Sequence, residues 1–274
     1  MTAATLTPAR QLADDGLGIS PRRVILAEWI KFRSLRSTWI SLAAMLAVSI
    51  GLGVLFSVLR GNDIARNGGP GPSFDPVQLT LRGLFLAQLA VGVLGVLFIT
   101  GEYSTGMIRA SLTAVPRRTP VWLAKVVVFA VVTFVVSTAA SLVAFLGGQA
   151  ALSSHSLGVS LGAEGAVRAV FGGGLYLTGV GLLGLGLGFA IRNTGGAIAT
   201  LFGLILVLPL LAAALPSPWS TDVDRVLPLS AGTSIMATVP DPSSLSPWTG
   251  FGVFSLYVVA ALALGLAVLH RRDA

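Results

Sequence analysis

Six stretches of the chain, at 38–59, 83–100, 120–147, 169–191, 197–215 and 248–269, are apolar almost without interruption, and polar segments separate them. A helix needs about 20 such residues to cross the roughly 30 Å hydrocarbon core of a bilayer, so each stretch is read as a membrane span. The second is slightly short, and Arg82 at its end is placed to snorkel toward the headgroups. The third opens on Thr119, a capping residue, and Pro120, which suits a first helical turn. RNTGG at 192–196 is long enough only to turn the chain, so spans four and five form a tight hairpin. The expected fold is an all-α integral membrane protein with six transmembrane helices.

Composition agrees with the pattern. Of 274 residues, 54% are hydrophobic and 11% charged, with a mean hydropathy of +0.86, far from the roughly 25% charged average of soluble domains. The formal charge of +7 would suggest nucleic acid in a soluble chain, but here the basic residues cluster beside the apolar runs, so no nucleic-acid partner is expected. Cysteine is absent, which excludes disulfides and thiolate metal or redox sites. Residues 1–23 hold Pro8, Asp14, Asp15 and Pro21 and no apolar h-region, so the first span is expected to act as its own insertion signal.

Charge then orients the spans. With both termini on one side, thirteen Lys and Arg fall on that side and five on the other. Basic loops stay in the cytoplasm, so the chain is expected in the cell membrane, multi-pass, with cytoplasmic N- and C-termini. Residues 1–19 lack periodicity and are expected to form a mobile tail, 20–37 a connecting helix, and 38–274 the six-span domain. In the loop 216–247, the apolar patch VLPLSAGTSIMATV is too short to span and is expected to be re-entrant or interfacial.

Several chemistries are missing. The only lysines are Lys31 and Lys125, and neither follows a glycine, so no P-loop exists and the chain is not expected to be an enzyme hydrolysing ATP. No H-E-x-x-H occurs, and His155 and His270 are too far apart to suggest a metal pair. GVSLG at 158–162 matches a nucleophile elbow, but Ser160 lies in a loop without the strand, helix and later partners that chemistry needs. In GLGLG, Gly184 and Gly188 form a G-x-x-x-G pair suited to close helix packing.

Two segments on the basic side carry more. In SPRRVILAEWIKFRSLRSTW, residues 20–39, Ser20 caps a helix whose Ile25, Trp29 and Phe32 share one stripe, with Arg23, Lys31 and Ser34 opposite; Glu28 and Leu35 interrupt this pattern. An interfacial helix bending into span one is expected. In GEYSTGMIRASLTAVPRRTP, residues 101–120, the first part can continue span two as a helix, and AVPRRTP must turn the chain. Topology explains the arginines, but not the helix-compatible stretch, nor a carboxylate, Glu102, one turn below the membrane. Its expected partners are Arg33 and Arg36.

At these residues the chain resembles the permease subunits of type-2 ATP-binding-cassette (ABC) transporters. GEYSTGMIRASLTAVPRRTPVWLAK is similar to that family's Glu-Tyr, Gly, Arg, Pro-x-Arg and Lys pattern after the second span, supported by AEWIKFRSLRSTW and by RVLPLSAG at 225–232. The resemblance implies an exporter working as a permease dimer, with a second copy or a related chain, docked on two cytoplasmic ATPase subunits that bind ATP and Mg. It implies a coupling helix between spans two and three, with Glu102, Tyr103, Arg109, Pro116, Arg117, Arg118 and Lys125 as coupling candidates. It also implies a connecting helix carrying Trp29, Lys31, Phe32, Arg33 and Arg36. The family's translocation path along spans two and five would here offer Gln88, Phe98, Thr200, Phe202 and Pro209. The alternative readings are an ion-coupled transporter or channel, which would be expected to bury Asp, Glu or His mid-span, and an integral membrane enzyme, which would gather catalytic polar groups there; the acidic residues here lie in loops or near span ends, and the spans carry almost no such groups.

Overall fold

The computed structural model describes residues 20–66, 69–71, 74–114 and 118–271. The expected tail at 1–19 and the coupling candidates Pro116 and Arg117 lie outside the described residues. All regular structure among them is helical: α1 (Pro21–Ser34), α2 (Arg36–Arg66), α3 (Pro76–Thr80), α4 (Leu84–Ser104), α5 (Met107–Ala114), α6 (Arg118–Ser153), α7 (Ala166–Ile191), α8 (Thr194–Phe202), α9 (Leu208–Ala213), α10 (Trp219–Asp224), α11 (Pro228–Thr233) and α12 (Pro247–Arg271). Six spans are long and apolar enough to cross a membrane: α2, α4, α6, α7, the α8–α9 segment and α12. The chain is therefore a multi-pass membrane protein.

Helix ends follow local chemistry. The Ser20 side chain accepts from the Arg23 N–H, and Leu35, extended at φ −82°, ψ 117°, separates α1 from α2. Spans one and three run well past their apolar stretches, to Arg66 and from Arg118 to Ser153. Hydropathy marks only the length inside hydrocarbon, whereas a helix continues into the headgroup layer wherever its backbone bonds stay satisfied. Span five is broken by a π turn, Gly203–Val207, in which the Leu208 N–H bonds to the Gly203 carbonyl. Pro209 lacks the N–H that would meet Ile205 in an α-helix, and the wider turn accommodates its ring.

The helix α7 is the hub, packed against α4, α6 and α12 and buried along most of its length. Its glycines make this possible: a Cβ on Gly184 would lie 2.4 Å from the Gly92 carbonyl oxygen, and one on Gly188 would lie 2.5 Å from Ile99 Cγ2. The G-x-x-x-G pair thus brings α7 against α4 in a setting where helix association depends on van der Waals fit. The apolar patch of the last loop does not span. It forms α11, a 3₁₀ turn Ser234–Met236 and an extended exit, with Ala231 and Ile235 fully buried.

With six spans, α1, α5, the turn at Arg192 and the end of α12 share one face, called here the terminal face. The loops around α3, α10 and α11 form the far face.

Candidate functional site

Beneath the terminal face, four charged side chains from three helices meet in a largely buried cluster. The connecting segment α1 turns Val24, Glu28 and Phe32 inward at i, i+4 and i+8, leaving Glu28 only 2% exposed. Span two carries Glu102 in its last turn, and Lys125, about two turns into α6, is completely buried. The Lys125 ammonium lies 2.6 Å from Glu28 Oε2 and 2.5 Å from Glu102 Oε1. Lys31, one turn after Glu28, stands 3.0 Å from Glu28 Oε1 and 3.5 Å from Glu102 Oε1, and it donates to Ser111 Oγ of α5 at 2.9 Å.

Two ammonium groups and two carboxylates cancel, which is what permits charge to be buried here at all. Burial pulls the Lys31 pKa down, but the carboxylates of Glu102 and Glu28 outweigh it and leave the pKa above its ordinary value. Lysine suits this place: a compact ammonium with three donors on a flexible stem can serve carboxylates at different heights, where a planar guanidinium cannot. Aromatic rings form the floor. Phe32, Phe98 and Phe129 pack at centroid distances of 5.3, 6.3 and 5.8 Å, and the Lys125 ammonium sits 5.5 Å from the Phe98 centroid. One atom is left over: Glu102 Oε2 is buried without a hydrogen-bond partner among the described residues.

A second cluster closes the end of span six. Arg118 Nη1 donates to the carbonyls of Leu269 at 2.6 Å and His270 at 3.3 Å, and Arg192 Nη2 donates to that of Val268 at 3.2 Å. The Arg192 guanidinium also lies over the Tyr103 ring, 5.1 Å from its centroid. These cations satisfy terminal carbonyls that the helix cannot satisfy itself and complement its negative end.

The structure thus brings together Lys31, Phe32, Phe98, Glu102 and Lys125, places Tyr103 and Arg118 beside them, and leaves Trp29, Arg33, Arg36 and Arg109 exposed. The expectation that Glu102 pairs with Arg33 or Arg36 is corrected. Lys31 is on the inward face, three residues from Glu28, whereas Arg33 and Arg36 turn outward, and the Arg33 carbonyl accepts from Trp39 Nε1. The inward stripe is likewise shifted by one residue, because Ile25 and Trp29, each 39% exposed, point away from the protein. Glu28 was read only as an interruption. Its signal was compositional: both lysines of the chain enter this cluster, and Glu28 and Glu102 are the only carboxylates on this face between residues 16 and 272.

Of the path candidates, Gln88 is fully buried, accepting from the Tyr176 hydroxyl and donating to the Phe85 carbonyl at 2.7 Å, and Phe98 belongs to the aromatic floor. Thr200 is exposed on α8, while Phe202 and Pro209 are half-buried.

Residues 24–209 match the family described as ABC-2 family transporter protein. The chain belongs to this family. The matched stretch runs from Val24 to Pro209 and contains every member of the charge cluster. No curated protein matches the chain. Membership makes the chain a membrane subunit of a transporter rather than itself an enzyme, and ABC-2 permeases partner with ABC ATPase subunits.

Proposed function

We propose that this ABC-2 permease is an exporter subunit with cytoplasmic termini, working as a dimer on two ATPase subunits that bind ATP and Mg. The thirteen-to-five charge split supports the orientation. In this reading α5 is the coupling helix. It buries Ile108 and presents Met107, Arg109, Ala110 and Thr113 outward, a face suited to an ATPase. The connecting helix is α1, and the cluster around Lys125 transmits motion between them.

The observation that carries the proposal is the Lys125 ammonium, bonded at once to α1 through Glu28 and to span two through Glu102. Lys31 extends the same cluster to α5 through Ser111. A shift of α5 therefore reaches α1 and spans two and three through the part-buried Lys31 and then through the buried contacts of Lys125, whose energy depends on distance. On span five, the exposed Thr200, with Phe202 and Pro209 around the π turn, is the proposed wall of the path or of the second permease copy.

The test uses the purified complex with its ATPase in proteoliposomes. Glu102→Gln keeps an acceptor for Lys125, and Glu102 is already the least satisfied member, so the variant is expected to insert and fold while substrate-dependent stimulation of ATP hydrolysis falls about tenfold, the size of one charge-assisted contact. Wild-type stimulation in a correctly inserted Glu102→Gln variant would sink the transmission role.

A further inference from the structure

At the far face, Arg60 of α2 and Arg82, just ahead of α4, line one crevice of about 180 Å³ together with Phe74, Asp75 and Gln78. Asp75 makes no ion pair with either of them, and its oxygens are occupied within the chain. Asp75 Oδ1 accepts from the Gln78 N–H at 2.8 Å and the Thr238 hydroxyl at 2.8 Å; Oδ2 accepts from the N–H groups of Thr238 at 2.7 Å and Val239 at 3.1 Å. Arg60 pairs with Asp63 one turn along α2. Arg82 is exposed and meets no carboxylate among the described residues. With Asp63 counted beside its partner Arg60, Arg82 is the guanidinium of this crevice left without a carboxylate among the described residues.

Depth says what anion reaches this place. Arg60 follows Arg36 by 24 residues on one helix, which at about 1.5 Å per residue is roughly 36 Å, beyond the hydrocarbon core and within the opposite headgroup layer. The surfaces next to both arginines are apolar and open: Phe56 and Leu59 beside Arg60 are 37% and 56% exposed, and Phe85 and Leu86, one turn below Arg82, are each 45% exposed.

We propose that this crevice binds the phosphodiester of an anionic phospholipid, with its acyl chains lying on Phe56, Leu59, Phe85 and Leu86. Guanidinium forks match phosphate oxygens in geometry as well as charge. A single phosphodiester charge meets the one guanidinium, Arg82, that has no carboxylate partner among the described residues, with Arg60 beside it. A zwitterionic lipid would bring a quaternary ammonium, which needs an accessible carboxylate, and Asp75 is buried beneath its four donors. Free phosphate would share the guanidinium contacts but gain nothing from the apolar surfaces. The site rests on the membrane-spanning architecture and not on the transport reading.

The test measures binding by the full chain in phosphatidylcholine nanodiscs or neutral detergent, following thermal unfolding and native mass spectra as phosphatidylglycerol is titrated. Phosphatidylglycerol is expected to raise Tm and leave a retained lipid adduct, whereas added phosphatidylcholine and inorganic phosphate do neither. Arg82→Gln and the Arg60→Gln/Arg82→Gln pair are expected to weaken the apparent affinity by about tenfold or more, the size of a lost charge-assisted contact. Arg225→Gln, another far-face arginine but paired with Asp222, is expected to leave it unchanged. Equal affinity in wild type and Arg82→Gln would overturn the site. So would equal loss in Arg225→Gln, which would reduce the effect to general surface charge, or a full response to inorganic phosphate, which would make the ligand a free anion. If the double variant fails to insert, Arg82→Gln alone decides, since Arg82 has no carboxylate partner to lose.

Discussion

The two faces of this permease bury charge in opposite ways. Beneath the terminal face, Glu28, Lys31, Glu102 and Lys125 neutralise one another across three helices. At the far face, charge is set against backbone. Asp75 takes the N–H groups of Thr238 and Val239, and Arg168 donates to the carbonyls of Ile235 at 2.8 Å and Ala237 at 2.9 Å. The segment between Ile235 and Val239 leaves its helix there, and its peptide groups would otherwise go unsatisfied near the membrane. The far-face arrangement therefore holds an irregular strand in place. The terminal-face charge cluster joins regular helices through side chains alone, and the open carbonyls at the end of α12 are left to Arg118 and Arg192. Linkage through side chains alone is the property that the proposed coupling role requires.

This contrast can be broken most severely at Lys125. Lys125→Met leaves two buried carboxylates with Lys31 alone, and a loss of about 3–5 kcal/mol is expected, as for one-sided removal of a buried pair. Membrane level and thermal unfolding in detergent would show it. A variant as stable as wild type would mean that water already reaches the cluster.

Next in size is Asp75→Asn, which replaces an ionised acceptor by an amide with one oxygen. About 1.5–3 kcal/mol is expected, the worth of hydrogen bonds to a charged group, but it should be confined to the far face. In this cysteine-free chain, a thiol placed at Val239 reports directly: faster labelling in Asp75→Asn, with unchanged labelling of a thiol at Arg109, is the expected result. Equal acceleration at both positions would show that the two faces are not independent.

A smaller effect, about 0.3–1 kcal/mol, is expected for Arg118→Gln, which removes a cation from the carboxyl end of α12 without touching the charge cluster. Proteolysis or hydrogen exchange at the end of α12 should increase, while Glu102-dependent coupling is retained. Loss of coupling with an intact α12 end would instead give Arg118 a part in ATPase docking.

The mildest perturbation is pH. The Lys31 pKa is raised above 10.5 by its carboxylates, so its contribution is complete below that value and disappears as pH climbs through the raised one. A Tm series in alkaline buffers is expected to fall in wild type and to stay flatter in Lys31→Arg, whose guanidinium does not titrate there. Parallel declines would assign the alkaline loss to other groups.

Local chemistry made much of this protein legible from its sequence. The six spans could be counted because crossing a bilayer demands about 20 consecutive apolar residues, a property of each segment alone. The Ser20 cap, the helix-compatible stretch after span two and the close packing at Gly184 and Gly188 were visible for the same reason. The direction in which each helix turns was not. Lipid tails are as apolar as a protein core, so the stripe of Ile25 and Trp29 and the stripe of Val24 and Phe32 look alike in sequence, and only packing against α6 decides that the second faces inward. The same choice brings Glu28 and Lys31 into the cluster and leaves Arg33 and Arg36 outside. It seats Phe98 under Lys125. Glu28 and Lys125 are 97 positions apart, and an ion pair at that separation has no local signature. The cluster it belongs to depends on three helices arriving at one buried point, which the tertiary structure alone decides.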